Sequence, residues 1–86
     1  MLDFKNKKIT VMGLGLHGGG VAVTEFLAKK GAFLTVTDLK SKAQLQDSIK
    51  QLKPFKINYV LGQHRLKDFE QADLIIKNPG VPQTSK

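Results

Sequence analysis

The stretch "ITVMGLGLHGGGVAVTEFLAKKG", Ile9 to Gly31, limits the fold more than any other part of the chain. It opens on β-branched and apolar residues, passes through Gly13, Gly15, Gly18, Gly19 and Gly20, and closes on a run with helical spacing. Gly13, Gly15 and Gly18 form G-x-G-x-x-G at a strand-to-helix junction. In such a turn one glycine permits the tight reversal and the next lets an anion approach the backbone. The free N–H groups and dipole of the helix then face that anion. Asp38 follows about twenty residues beyond Gly18, at the end of the next β-rich segment, and completes the pattern of a site for a diphosphate-containing nucleotide.

The remaining segments alternate in kind. Ile9 to Leu14 reads as a first strand, apolar on both faces as an interior strand of a parallel sheet should be. Ala22, Val23, Phe26 and Leu27 form the expected buried stripe of the first helix, Glu25 lies four residues before Lys29, and Gly31 is its cap. Phe33 to Asp38 is the second strand. Ser41 and Gln44 make a capping box ahead of Leu45, Ile49 and Leu52, a second helix that Pro54 stops. Ile57 to Leu61 is a third strand, "GQHRLKDFEQ" a polar link with one short helical turn, and Leu74 to Lys77 a fourth strand before the turn at Asn78, Pro79, Gly80 and Pro82.

This order predicts an α/β domain, a Rossmann-like open parallel sheet with strand order 3-2-1-4, right-handed crossovers and flanking helices. Ligands in such sheets lie at the carboxyl ends of the strands, where the order reverses. That point falls between the first and fourth strands, so the glycine turn and the Asn78 to Gly80 turn are expected to face one crevice.

With 86 residues the chain makes one domain, 1–86, with a thin core. Hydrophobic residues at 41% and charged residues at 24% give a globular composition rather than a disordered one. The absence of cysteine excludes disulfides and thiolate metal sites and fits a cytoplasmic location. No run approaches the ~20 apolar residues of a membrane span, and the short apolar run near the N-terminus reads as a strand rather than a signal peptide. The net charge of +7 raises nucleic acid as a partner, but it is carried by scattered lysines with Arg65 as the sole arginine, which argues against that class. His17 stands in the glycine turn, where its ring would either donate to a phosphate or point to solvent, and His64 reads as a surface residue of the polar link. Neither has a third ligand at metal-binding spacing or a nucleophile nearby, so no metal and no catalytic residue is assigned. Asp38 would accept from ribose hydroxyls in a dinucleotide site or from the imide N–H of uracil in a uridine site.

Taken together in order and spacing, "GLGLHGGG", "TDLK" and "ADLIIKNPGVP" resemble the N-terminal domain of the MurD-type Mur ligases, the UDP-N-acetylmuramoyl-L-alanine:D-glutamate ligases of peptidoglycan synthesis. The resemblance runs from "KNKKITVMGLG" to "NPGVP". It implies a domain that binds the UDP part of UDP-N-acetylmuramoyl-L-alanine. Gly15, Leu16, His17, Gly18 and Gly19 would lie at the diphosphate, Asp38, Leu39 and Lys40 would bracket the uracil and ribose, and Asn78, Pro79 and Gly80 would form the opposing wall. The chain departs from the pattern at His17, where serine or threonine is common, at Leu39, where a small polar residue can occur, and at Asn78, where serine is frequent. ATP and Mg²⁺ are implied for the longer multidomain ligase, whose G-x-x-x-x-G-K-[ST] phosphate loop this chain lacks. The expectation is a monomeric substrate-recognition domain that alone catalyses nothing. On the residues alone, an NAD(P)-binding Rossmann module of an oxidoreductase, a ligand-sensing regulatory domain and a basic module without a small ligand remain as alternatives.

Overall fold

β-Branched and aromatic runs become strands, and the segments between them cross over as helices. The computed structural model describes residues 3–14 and 19–77. Its elements are β1 (Lys8–Met12), α1 (Gly19–Lys29), β2 (Phe33–Asp38), α2 (Gln46–Gln51), β3 (Ile57–Leu61), α3 (Leu66–Glu70) and β4 (Leu74–Lys77). The strands form one four-stranded sheet in the order β3-β2-β1-β4, and every pairing is parallel, as the alternation of segments predicts. Met12 is the register partner of both Thr37 and Lys77, so the carboxyl ends of β1, β2 and β4 finish level. At the other edge Asp73 staples β4 to β1: its N–H donates to the Lys8 carbonyl at 2.7 Å, and its carboxylate accepts the Lys8 N–H at 2.8 Å.

The two faces of the sheet differ. Ile9, Val11, Leu34 and Val36 alternate onto one face and join Val21 and Leu27 of α1, together with Leu45 and Leu52 beside α2, in a single apolar core. The opposite face carries Thr10, Thr35 and Thr37, with Thr10 paired to Thr35 and Thr35 to Asn58. The expectation that β1 is apolar on both faces is therefore corrected. Thr10 is buried only because its hydroxyl donates to the Asp68 carbonyl of α3, at 2.6 Å. β1 is also shorter than expected and ends at Met12, because Gly13 takes a backbone conformation outside the strand region.

A second correction concerns α1. Its buried side is Val21, Thr24 and Leu27, whereas Ala22 is exposed and Phe26 is 52% exposed. Thr24 can face the core because its hydroxyl donates to the Gly20 carbonyl one turn earlier, at 2.6 Å. Phe26 instead sets the edge of its ring against Phe4 and carries the Lys30 ammonium over its face. The Glu25–Lys29 pair forms at 3.7 Å, exposed enough to contribute little.

The capping box closes as expected: Ser41 N–H donates to Gln44 Oε1 at 2.9 Å, and Gln44 N–H donates to Ser41 Oγ at 3.2 Å. It caps a turn that leads into α2 rather than the first residue of the helix itself. At the far end of α1, Gly31 has φ +86°, with its N–H on the Ala28 carbonyl and the Ala32 N–H on the Leu27 carbonyl. This is the paired bonding of a left-handed helix terminus.

A side chain at Gly31 would strain the backbone and bring its Cβ to 3.3 Å from Lys5 Cγ, a flexible neighbour. Gly31→Ala is expected to destabilise the fold by about 1–2 kcal/mol, mostly from the left-handed backbone. Chemical denaturation of the variant against the parent chain checks this, and an unchanged midpoint would show that the terminus relaxes freely.

Candidate functional site

The level strand ends bring three backbone segments to one corner. Gly13, just past β1, has φ +93°, a conformation that favours glycine, and its N–H donates to the Thr37 carbonyl of β2 at 2.7 Å. The next amide, Leu14 N–H, donates to Asp38 Oδ2 at 2.9 Å. The other carboxylate oxygen, Asp38 Oδ1, accepts the Lys40 N–H at 2.9 Å. Asp38 is 5% exposed, so its charge is held by directed N–H donors rather than by bulk water.

A third segment, directly after β3, grips the same corner. Gly62 N–H lies within hydrogen-bonding reach of the Asp38 carbonyl at 2.8 Å and of the Lys40 carbonyl at 3.1 Å, and Gln63 bridges Asp38 in antiparallel fashion. His64 Nδ1 is 2.8 Å from the buried Thr37 hydroxyl, and its ring meets Phe69 edge-on at 6.2 Å. The surface placement expected for His64 is therefore corrected: it is half-buried and bonded across 27 positions. Sequence reasoning missed Gly62, Gln63 and His64 as a group, and the one local signal was a glycine directly after a strand.

Of the residues singled out from sequence, Asp38, Leu39 and Lys40 lie together at the carboxyl edge, with Leu39 65% exposed and Lys40 half-buried. Gly19 begins α1. Gly15, Leu16, His17, Gly18, Asn78, Pro79 and Gly80 lie outside the described residues. Among the described residues no group of three or more His, Cys, Asp or Glu is placed to hold a metal ion, and no helix is long and apolar enough to cross a membrane.

A cavity of about 730 Å³ opens at the opposite, amino edge of the sheet, lined in part by Lys8, Phe33, Lys56, Asn58 and Gln71. The acid beside it, Asp68, is already held by Arg65 at 2.9 and 3.0 Å. Volume and directed polar groups thus point to different edges. The carboxyl edge is the candidate site, because its strand ends and the start of the crossover helix converge there.

An all-parallel sheet in this order, with a glycine-led exit from β1 and a buried acid ending β2, defines a Rossmann-like domain. Residues 7–86 match the family model described as Mur ligase MurD-like, N-terminal domain, and the chain belongs to that family. It is 51% identical over 86 residues to the UDP-N-acetylmuramoylalanine--D-glutamate ligase of Borreliella burgdorferi (strain ZS7), covering 98% of this chain and 19% of that protein. The protein of the same name from Roseiflexus sp. (strain RS-1) is 45% identical over 85 residues, covering 99% of this chain and 18% of that protein. The Treponema pallidum (strain Nichols) protein, again of that name, is 51% identical over 78 residues, covering 90% and 15%. The chain thus spans about a fifth of the length of the curated relatives it matches.

Asp38→Asn replaces one acceptor oxygen by a donor NH₂, yet both Leu14 and Lys40 present N–H groups to it. The substitution is expected to destabilise the fold by about 1–3 kcal/mol, the range for a compromised hydrogen bond at a buried charged group. A denaturation midpoint equal to that of the parent chain would show that the two amides do not depend on the carboxylate.

Proposed function

We propose that this domain holds the uridine diphosphate end of UDP-N-acetylmuramoylalanine within a longer ligase that joins D-glutamate to that substrate. The observation that carries the reading is the Asp38 corner, which lies at the carboxyl edge of a domain whose family match spans residues 7–86. The relatives' shared name supplies the substrate and the amino acid.

In this reading Gly15, Leu16, His17, Gly18 and Gly19 meet the diphosphate, chiefly through backbone N–H groups at the start of α1. The His17 side chain is an additional donor where the family commonly has a hydroxyl. Asp38, Leu39 and Lys40 bracket the uracil and ribose. A carboxylate oxygen has more than one lone pair, so Asp38 can accept from the ligand while it holds Leu14 and Lys40. Asn78, Pro79 and Gly80 form the facing wall. No catalytic residue is assigned to this chain. ATP and Mg²⁺ belong in this proposal to the remainder of the ligase, where the family's phosphate loop lies. The working protein is monomeric and cytoplasmic, with neither nucleic acid nor membrane as a partner.

UDP and NAD discriminate this reading from that of a dinucleotide-binding module. In an amide-resolved titration, UDP is expected to perturb Leu16 to Gly20, Asp38 to Lys40 and Asn78 to Gly80 together, with modest affinity, while NAD acts weakly. A stronger response to NAD than to UDP at equal concentration would replace the ligase reading with the dinucleotide one.

A further inference from the structure

The segment that sequence reasoning passed over is the one that grips the Asp38 corner from below. We propose that His64 is a positioning residue for the nucleotide site, acting through Thr37; this rests on the uridine-nucleotide reading above. Thr37 alternates with Val36 along β2, so it faces away from the core that α1 and α2 cover and toward the α3 side of the sheet. His64 meets the Thr37 hydroxyl on that side, while the start of α1 lies on the other. It therefore influences the ligand through the strand end rather than by touching it.

The route is short and made of directed bonds. The Thr37 hydroxyl is fully buried and 2.8 Å from His64 Nδ1. The carbonyl of the same residue fixes the Gly13 amide, and the carboxylate of the next residue fixes the Leu14 amide. These two amides lead directly into the glycine turn. Gly62 and Gln63, the two residues before His64, bond Asp38 and Lys40, so the whole of Thr37 to Lys40 is held from the β3 side. A shift of Thr37 moves both the turn entry and the loop that carries Leu39 and Lys40.

The test is steady-state kinetics of the full-length ligase with UDP-N-acetylmuramoylalanine, ATP and D-glutamate. His64→Phe keeps a ring against Phe69 and removes the hydrogen bond; His64→Asn restores a polar atom near the Nδ1 position; Thr37→Val removes the partner hydroxyl. His64→Phe and Thr37→Val are expected to raise KM for the UDP substrate about three- to tenfold, the weight of one hydrogen bond. KM for ATP and for D-glutamate, and kcat, should stay unchanged. The double variant should be no worse than either single one, and His64→Asn should recover most of the loss.

An unchanged KM for the UDP substrate, a uniform change in all parameters, or no recovery with His64→Asn would overturn the proposal. If His64→Phe does not fold, Thr37→Val and His64→Asn carry the test: a raised KM in the first with a near-normal KM in the second supports it, and any other pattern overturns it. A wild-type enzyme that does not use the UDP substrate would instead overturn the reading on which the proposal rests.

Discussion

The carboxylate of Asp38 organises the carboxyl edge of this domain. A buried charge is costly unless polar groups are aimed at it, and here one oxygen takes the amide that follows Gly13 while the other takes the amide of Lys40. Its backbone carbonyl takes the amide of Gly62. The ends of β1, β2 and β3 are thereby tied at a single residue. Strands paired only by ladder bonds can fray at their ends, whereas these ends share a charged acceptor with little access to water. The direction in which the chain leaves β1 follows from that tie.

The sheet supports the corner unevenly. On one face Ile9, Val11, Leu34 and Val36 pack against Val21 and Leu27 of α1 and against Leu45 and Leu52, and burial of this kind supplies most of the favourable free energy of a small domain. On the other face threonines replace aliphatic residues, and the cover is a helix of five residues. The cavity at the amino edge is lined from both sides of the sheet, by Ala28 and Phe55 as well as by Asp68 and Gln71. Threonine suits such a face: its branched side chain favours strands, and its hydroxyl can be satisfied by a crossing segment, as Thr10 is by Asp68 and Thr37 by His64.

How much of this could be read from the sequence depended on the range of the interaction. β2, β3 and β4 have the bounds expected from their β-branched runs, and Gly31 caps α1 as its position suggested, because strand propensity and helix termination are local. The strand order is the one that the Rossmann pattern carries, and that pattern was visible in the alternation of elements and the glycine turn after the first strand. The buried stripe of α1 was misplaced by one residue type. Thr24, outside the expected stripe, faces the core because its hydroxyl is satisfied within the helix, and Phe26, expected in it, is covered in part by Phe4 and Lys30 outside the main core. His64 and Asp38 show the other limit. Each could be named from its neighbours in the chain, but the partner that defines its environment, Thr37 for one and Leu14 for the other, lies more than twenty positions away.

Asp38 also shows that an acid recognised by motif need not be an acid kept free for a ligand. Its place at the end of β2 fits a ribose or uracil acceptor, and its bonds fit an internal brace; the two roles are compatible because a carboxylate has about four acceptor positions. Loss of nucleotide binding on changing Asp38 would therefore mix a lost contact with a displaced glycine turn. His64 separates these contributions, since it lies on the α3 side of the sheet and its side chain bonds Thr37 rather than Asp38. An effect of His64 on substrate affinity measures how far the geometry of the strand end, apart from the charge at Asp38, determines what the turn can hold.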